Sequence, residues 1–174
     1  FISRGYTGLF RPKHFTLGDE LAGEVEAVGN QVTRFKKGDA VVATTGGVGA
    51  NAEYVCLAPE KATVAIKPSN LSYEEAAGSC DGFLTALPFL RDTGQLREGQ
   101  RVVVIGASGS VGSAAVQLAR YLGADVTGIC SAVNVDLVKS LGAHKVIDYT
   151  REDFTQNGAT YDVIFDTVGR MSFS

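Results

Sequence analysis

Residues 101–123 constrain this chain more than any other stretch. Val102, Val103, Val104 and Ile105 form a β-branched run with no polar break, as expected of a strand covered on both faces in a parallel sheet. Gly106-Ala-Ser-Gly-Ser-Val-Gly112 follows as a tight turn. Val111, Ala114, Ala115, Leu118, Ala119 and Leu122 then recur at helical spacing, with Gly123 as the stop. A turn of this kind leaves the backbone N–H groups around Gly109 to Gly112 unpaired at a helix N-terminus, a position suited to an anion such as phosphate.

Further on, a strand over 124–130, a helix capped by Asn134 and carrying Val135, Val138 and Leu141 up to Gly142, and a strand over 144–148 are expected. A short helix over 151–156 and a strand over 161–167 complete the alternation. Strand and helix in strict succession predict an α/β fold, a doubly wound parallel sheet.

The first part of the chain has another texture. Residues 1 to 20 are broken by Gly5, Gly8, Pro12 and Gly18 and read as irregular connection. Gly23 to Gly29 and Asn51 to Leu57 alternate, Asp39 to Ala43 is short and apolar, and 59–70, with Pro59 and Pro68, reads as a last strand and exit loop. Short strands between glycines predict a small antiparallel β unit over 1–70, and linking helices with the parallel sheet over 71–174. Ser72 and Glu75 form a capping box. Gly78 is expected to end that helix, and a second, over Phe83 to Arg91, contains Pro88.

Composition excludes several classes. A chain 45% apolar and 20% charged is ordinary globular material, and no apolar run approaches the roughly eighteen residues of a membrane span. A net charge of −3 with scattered Lys and Arg argues against a nucleic-acid surface. Cys56, Cys80 and Cys130 are too few and too widely spaced for a disulfide framework or a Cys-x-x-Cys metal site. They suggest a reducing, cytoplasmic setting, with Cys80 and Cys130 as small buried hydrophobes. His14 and His144 have no readable catalytic partner, and no nucleophile constellation is visible. The absence of an initial Met and the stop soon after an apolar strand suggest a piece of a longer chain.

The glycine register is Ala107-x-Gly109-x-x-Gly112, after a strand and opening a helix, which is the context a dinucleotide-binding turn requires. Leu17 to Val25, Val28-Gly29, Phe35-x-x-Gly-Asp39, Ala52-Glu-Tyr54, Leu141-Gly-Ala143, Val146 to Tyr149 and Tyr161 to Asp166 surround it in order. Together they resemble the medium-chain dehydrogenase/reductase superfamily, most closely its quinone-oxidoreductase-like, zinc-free branch. The resemblance implies part of a GroES-like β-barrel domain before the Rossmann domain, with the family's outermost strands at both ends missing. It implies a cofactor contacted by Thr85, Ala107, Ser108, Gly109, Ser110, Val111, Gly112, Ser131, Tyr149, Asp166, Thr167 and Val168, with Arg151 beside Tyr149 as a further source of charge. A homodimer of the full-length protein and a small carbonyl or quinone substrate are also implied, with no nucleic acid or membrane partner.

Zinc enzymes of the superfamily carry a His in a Gly-His-Glu segment, where this chain has Gly18-Asp19-Glu20. Their second Cys falls at Asp81, four residues before Thr85, with Cys80 one place off. Two carboxylates make a poor zinc pair, so no zinc is expected. NAD-preferring sites place an acid at the end of the second strand; here that strand ends Gly128-Ile-Cys-Ser131, which favours NADPH over NADH. The expected activity is hydride transfer from NADPH to a quinone, enone or alkenal. A zinc-type alcohol dehydrogenase relative, a cofactor-binding but non-catalytic relative, and an inert incomplete piece are the alternatives.

Overall fold

A computed structural model describes residues 16–58 and 62–169. The expectations on His14, Pro59, the irregular start and the last five residues lie outside them. The chain divides into two compact units, Phe1–Cys80 and Asp81–Ser174.

In the first unit β1 (Glu20–Glu24), β2 (Ala40–Thr44) and β3 (Thr63–Ile66) form an antiparallel sheet in that order. Glu20 faces Thr44, and Val41 faces Ile66. Val41 and Ala43, on one face of β2, are buried. The strand expected over Gly23 to Gly29 runs instead over Glu20–Glu24, and Asn51 to Leu57 forms no strand. Alternation alone does not make a strand without a neighbour to satisfy its backbone groups. Residues 50 and 51 give their N–H groups to Gly18 O and Leu17 O instead.

In sequence, α1 (Tyr73–Pro88) follows β3. Its start is as expected: the Ser72 N–H donates to Glu75 Oε2 at 2.9 Å, and the Glu75 N–H donates to Ser72 Oγ at 3.1 Å. The expected break at Gly78 does not occur. Gly78 sits inside a helix that continues for ten more residues, and a Cβ there would meet nothing. A glycine ends a helix by turning left-handed, and this one does not. Pro88, expected inside a second helix, is the last residue of α1, and a π-turn over Phe89–Thr93 follows. The Gly94 N–H closes that turn on Phe89 O at 2.7 Å. Leu90 is buried, and the Phe89 ring lies 5.8 Å from that of Phe165.

The second unit holds a parallel sheet of order β6-β5-β4-β7, made of β4 (Arg101–Ile105), β5 (Asp125–Cys130), β6 (Lys145–Asp148) and β7 (Val163–Asp166). Between them lie α2 (Ser110–Tyr121), a 3₁₀ turn (Ala132–Asn134) leading into α3 (Val135–Ser140), and a 3₁₀ turn (Phe154–Gln156). That last turn replaces the helix expected over 151–156; the Asp153 carboxylate caps it by accepting the Thr155 N–H at 2.9 Å. Val102, Val103 and Val104 are wholly buried, as a strand covered on both faces requires. On one face they join Val116, Ala119, Val126 and Val138; on the other, Ile129 and Ile147. Gly128 permits this packing, because a Cβ there would lie 2.5 Å from Val138 Cγ1 and 3.1 Å from Ala107 Cβ.

His144, without a readable partner in the sequence, has three. The Val126 N–H donates to its Nδ1 at 3.0 Å, Asp125 Oδ1 is 3.2 Å from that nitrogen, and Arg120 Nη1 is 2.7 Å from Nε2. It fastens the end of α2 to the start of β5, a structural task.

Candidate dinucleotide site

Side chains and turns at the carboxyl ends of β4, β5, β6 and β7 build the site, the edge at which open parallel sheets take ligands. The chain leaves β4 through Gly106, whose φ of +77° belongs to the left-handed region. A Cβ on Gly106 would meet Val168 Cγ2 at 2.6 Å and Thr167 Oγ1 at 2.7 Å, so the turn lies directly against the exit of β7. The Gly106 and Ala107 N–H groups both donate to Ile129 O, at 3.1 and 2.9 Å.

The Gly109 N–H, expected to be unpaired, donates to Gly106 O at 3.0 Å. The first helical bond runs from the Ser113 N–H to Gly109 O at 2.8 Å. The groups left outside the helical ladder are therefore the N–H of Ser110, Val111 and Gly112. That shifts the expected cradle by one residue along the chain.

The two glycines of the turn differ in their reasons. A Cβ on Gly112 would come within 2.1 Å of Gly106 O and 2.9 Å of Ala107 Cα, both backbone atoms, so the fold itself demands glycine. Gly109 has φ −76° and ψ 173°, which any residue adopts, and a Cβ there would only touch Gly106 O at 3.4 Å. Nothing among the described residues requires a glycine at 109. An approaching ligand would.

The remaining expected residues fall in three groups. Ala107 is wholly buried, so it offers only backbone, and Val111 is half-buried against the core. Asp166 and Thr167 shape the turn: Asp166 Oδ1 accepts the Val168 and Gly169 N–H groups at 2.8 and 3.0 Å, and Thr167 Oγ donates to Ile105 O at 2.8 Å. Val168 and Tyr149 are exposed, and Thr85 is half-buried on α1. Ser108 and Ser131, half-buried, are brought together by a residue not expected at the site. Asn134 Nδ2 donates to Ser108 Oγ at 3.1 Å and to Ser131 Oγ at 3.3 Å, and makes no capping bond to α3.

Gly82 and Asp148 were also not expected. A Cβ on Gly82 would lie 2.8 Å from Ser110 O, so α1 passes close over the start of α2. A glycine within an otherwise helical run was its only signal. Asp148 Oδ1 accepts the Thr150 Oγ–H at 2.8 Å and N–H at 3.0 Å, and Oδ2 is 3.5 Å from Arg151 Nε. These partners, Thr150 first, with the Ala132 N–H, hold its carboxyl below the ordinary carboxylate range. Opposite it in register, Cys130 is buried; burial, then the Asp148 charge, pushes its thiol up, which makes it unreactive.

In the first unit, Asp19 Oδ1 accepts the Thr45 Oγ–H at 2.9 Å and the Gly47 N–H at 2.6 Å. Its carboxylate orders the loop after β2. Among the described residues no three His, Cys, Asp or Glu gather as metal ligands would.

The family described as alcohol dehydrogenase GroES-like domain matches residues 2–68, and that described as zinc-binding dehydrogenase matches residues 110–174. The chain belongs to the medium-chain dehydrogenase/reductase superfamily. It is similar to a quinone oxidoreductase of Pseudomonas aeruginosa, 39% identical over 161 residues, which are 88% of this chain and 49% of that protein. The solved quinone oxidoreductase of Coxiella burnetii superposes with a TM-score of 0.79 at 34% identity, over 88% of this chain and 49% of that one. The quinone oxidoreductase of Escherichia coli, solved in complex with NADPH, superposes with a TM-score of 0.67 at 33% identity, over 84% and 45%. This member of the superfamily spans about half the length of such relatives. No helix among the described residues is long and apolar enough to cross a membrane.

Proposed function

We propose that this chain carries the dinucleotide-holding part of an NADPH-dependent oxidoreductase, and that the whole protein reduces a quinone or another conjugated acceptor, an enone or alkenal, without zinc. Gly109 carries the reading. It opens the helix of a turn whose free N–H groups suit a phosphate, yet nothing among the described residues calls for its glycine; a pyrophosphate pressed against the backbone supplies a reason.

The residues present fit the group. Ser110, Val111 and Gly112 offer backbone N–H donors to the pyrophosphate, Ser108 and Ser131 offer hydroxyls beyond it, and the exposed Tyr149 offers a ring on which an adenine can lie. Asp166 and Thr167 fix the turn beside which the other end of the cofactor would run. The cofactor supplies the hydride; the chain's part is to bind and orient it. The E. coli relative solved with NADPH supports the choice of cofactor. The zinc-free reading draws on Asp19, which stands where zinc relatives carry a His and whose Oδ1 already takes two donors within its own loop.

The test is made on the full-length protein. Fluorescence titration should show NADPH binding more tightly than NADH, and NADPH should be consumed with members of a panel of quinones and enones. Binding without consumption of any acceptor would mark a non-catalytic relative, and stoichiometric zinc in the active protein would mark an alcohol dehydrogenase type. A homodimer and a cytoplasmic location are part of the same proposal, checked by light scattering and cell fractionation.

A further inference from the structure

We infer that Asn134 is a positioning residue for cofactor discrimination, holding two serine hydroxyls as a pair of neutral donors for the 2′-phosphate of the adenosine ribose. The inference rests on the NADPH reading above.

Asn134 stands at the N-cap of α3, where an Asn side chain ordinarily accepts a backbone N–H. Here its amide leaves the helix and reaches the glycine-rich turn, donating to Ser108 Oγ at 3.1 Å and to Ser131 Oγ at 3.3 Å. Each serine oxygen thus accepts from the amide. A hydroxyl in that situation cannot point its own hydrogen back at the N–H it receives, so both hydrogens are left to donate elsewhere. Among the described residues neither is given to another group. Ser108 follows the exit of β4 and Ser131 the end of β5, adjoining parallel strands, so the two donors sit at one sheet edge.

Among the described residues that edge shows no unpaired cation to do the same task. Residues 131–134 are Ser-Ala-Val-Asn, and the nearby Arg151 faces the Asp148 carboxylate, which also takes the Ala132 N–H. A phosphate accepts strongly from both hydroxyls, because hydrogen bonds to a charged acceptor are the stronger kind; a ribose 2′-hydroxyl gains much less. Asn134 therefore separates the two cofactors without touching either.

The experiment is a fluorescence titration of NADPH and of NADH against the full-length wild type, Asn134→Ala, Ser131→Ala and the double variant, with melting curves as a fold control. Asn134→Ala and Ser131→Ala should each raise the Kd for NADPH about five- to tenfold, with less than about a twofold change for NADH. The double variant should lose less than the two single losses multiplied together, because the Ser131 hydroxyl is common to both while Asn134 also holds Ser108. An equal loss for both cofactors, or no change in either, overturns the inference. If Asn134→Ala does not fold, Ser131→Ala and Ser108→Ala carry the same comparison. A wild type that binds NADH as tightly as NADPH overturns the cofactor reading itself, and this inference with it.

Discussion

Two glycines three residues apart do different work, and substitution separates them. Gly112→Ala sets a methyl carbon against Gly106 O, a backbone atom with no rotamer to yield, so roughly 3 kcal/mol or more of stability should be lost. Gly109→Ala should leave stability within about 0.5 kcal/mol and raise the Kd for NADPH by about tenfold or more. Melting temperature and titration, measured on both variants, check the pair. Equal stability losses would show that Gly109 is structural. Asp148 gives a pH-dependent counterpart. Its folded-state pKa is lowered, so its contribution is complete above the ordinary carboxylate range and disappears as pH falls through the lowered value. Asp148→Asn should therefore melt below the wild type at about pH 7, and the gap should close as the buffer is taken to about pH 3 or below. A gap independent of pH would mean that the carboxylate charge plays no part.

Elements were legible in the sequence where burial on both sides imposed a pattern. Val102 to Ile105 and the apolar stripe from Val111 to Leu122 could be little else, and β4 and α2 lie where the residues put them. Legibility failed where structure depends on a partner distant in sequence. Asn51 to Leu57 alternates like a strand but has no strand neighbour among the described residues, and Gly78 continues its helix because nothing there calls for a left-handed turn. Asn134 at a helix start reads as a cap; only Ser108, 26 residues upstream, reveals its other use. Gly128 is a further case, since its reason is Val138 on α3. Gly128→Ala forces that side chain or α3 aside and should cost about 1–3 kcal/mol, which for a domain of this size is a fall in melting temperature of several degrees. An unchanged melting curve would mean that α3 can shift without cost.

At the scale of the molecule, the expected site residues from Ser108 to Val168, and the added Asn134 and Asp148, belong to the second unit, Asp81–Ser174. A ligand that binds only folded protein stabilises the part that holds it. Saturating NADPH at about 100 times its Kd should therefore stabilise the second unit by roughly 2.7 kcal/mol. Hydrogen exchange should show this as slower exchange at amides of β4 and α2, with those of β1 to β3 little changed; uniform protection across both units would contradict it. The sheet also carries a consequence for synthesis. Val102 on the central strand pairs with Val126 on one side and Val163 on the other, so its second neighbour emerges from the ribosome 61 residues after it. At about 5–20 residues per second, that leaves an apolar strand with one bare edge for roughly 3 to 12 seconds. Every nascent copy passes through this interval, and slower translation lengthens it: the strand most deeply buried in the finished protein is the one a chaperone has longest to find.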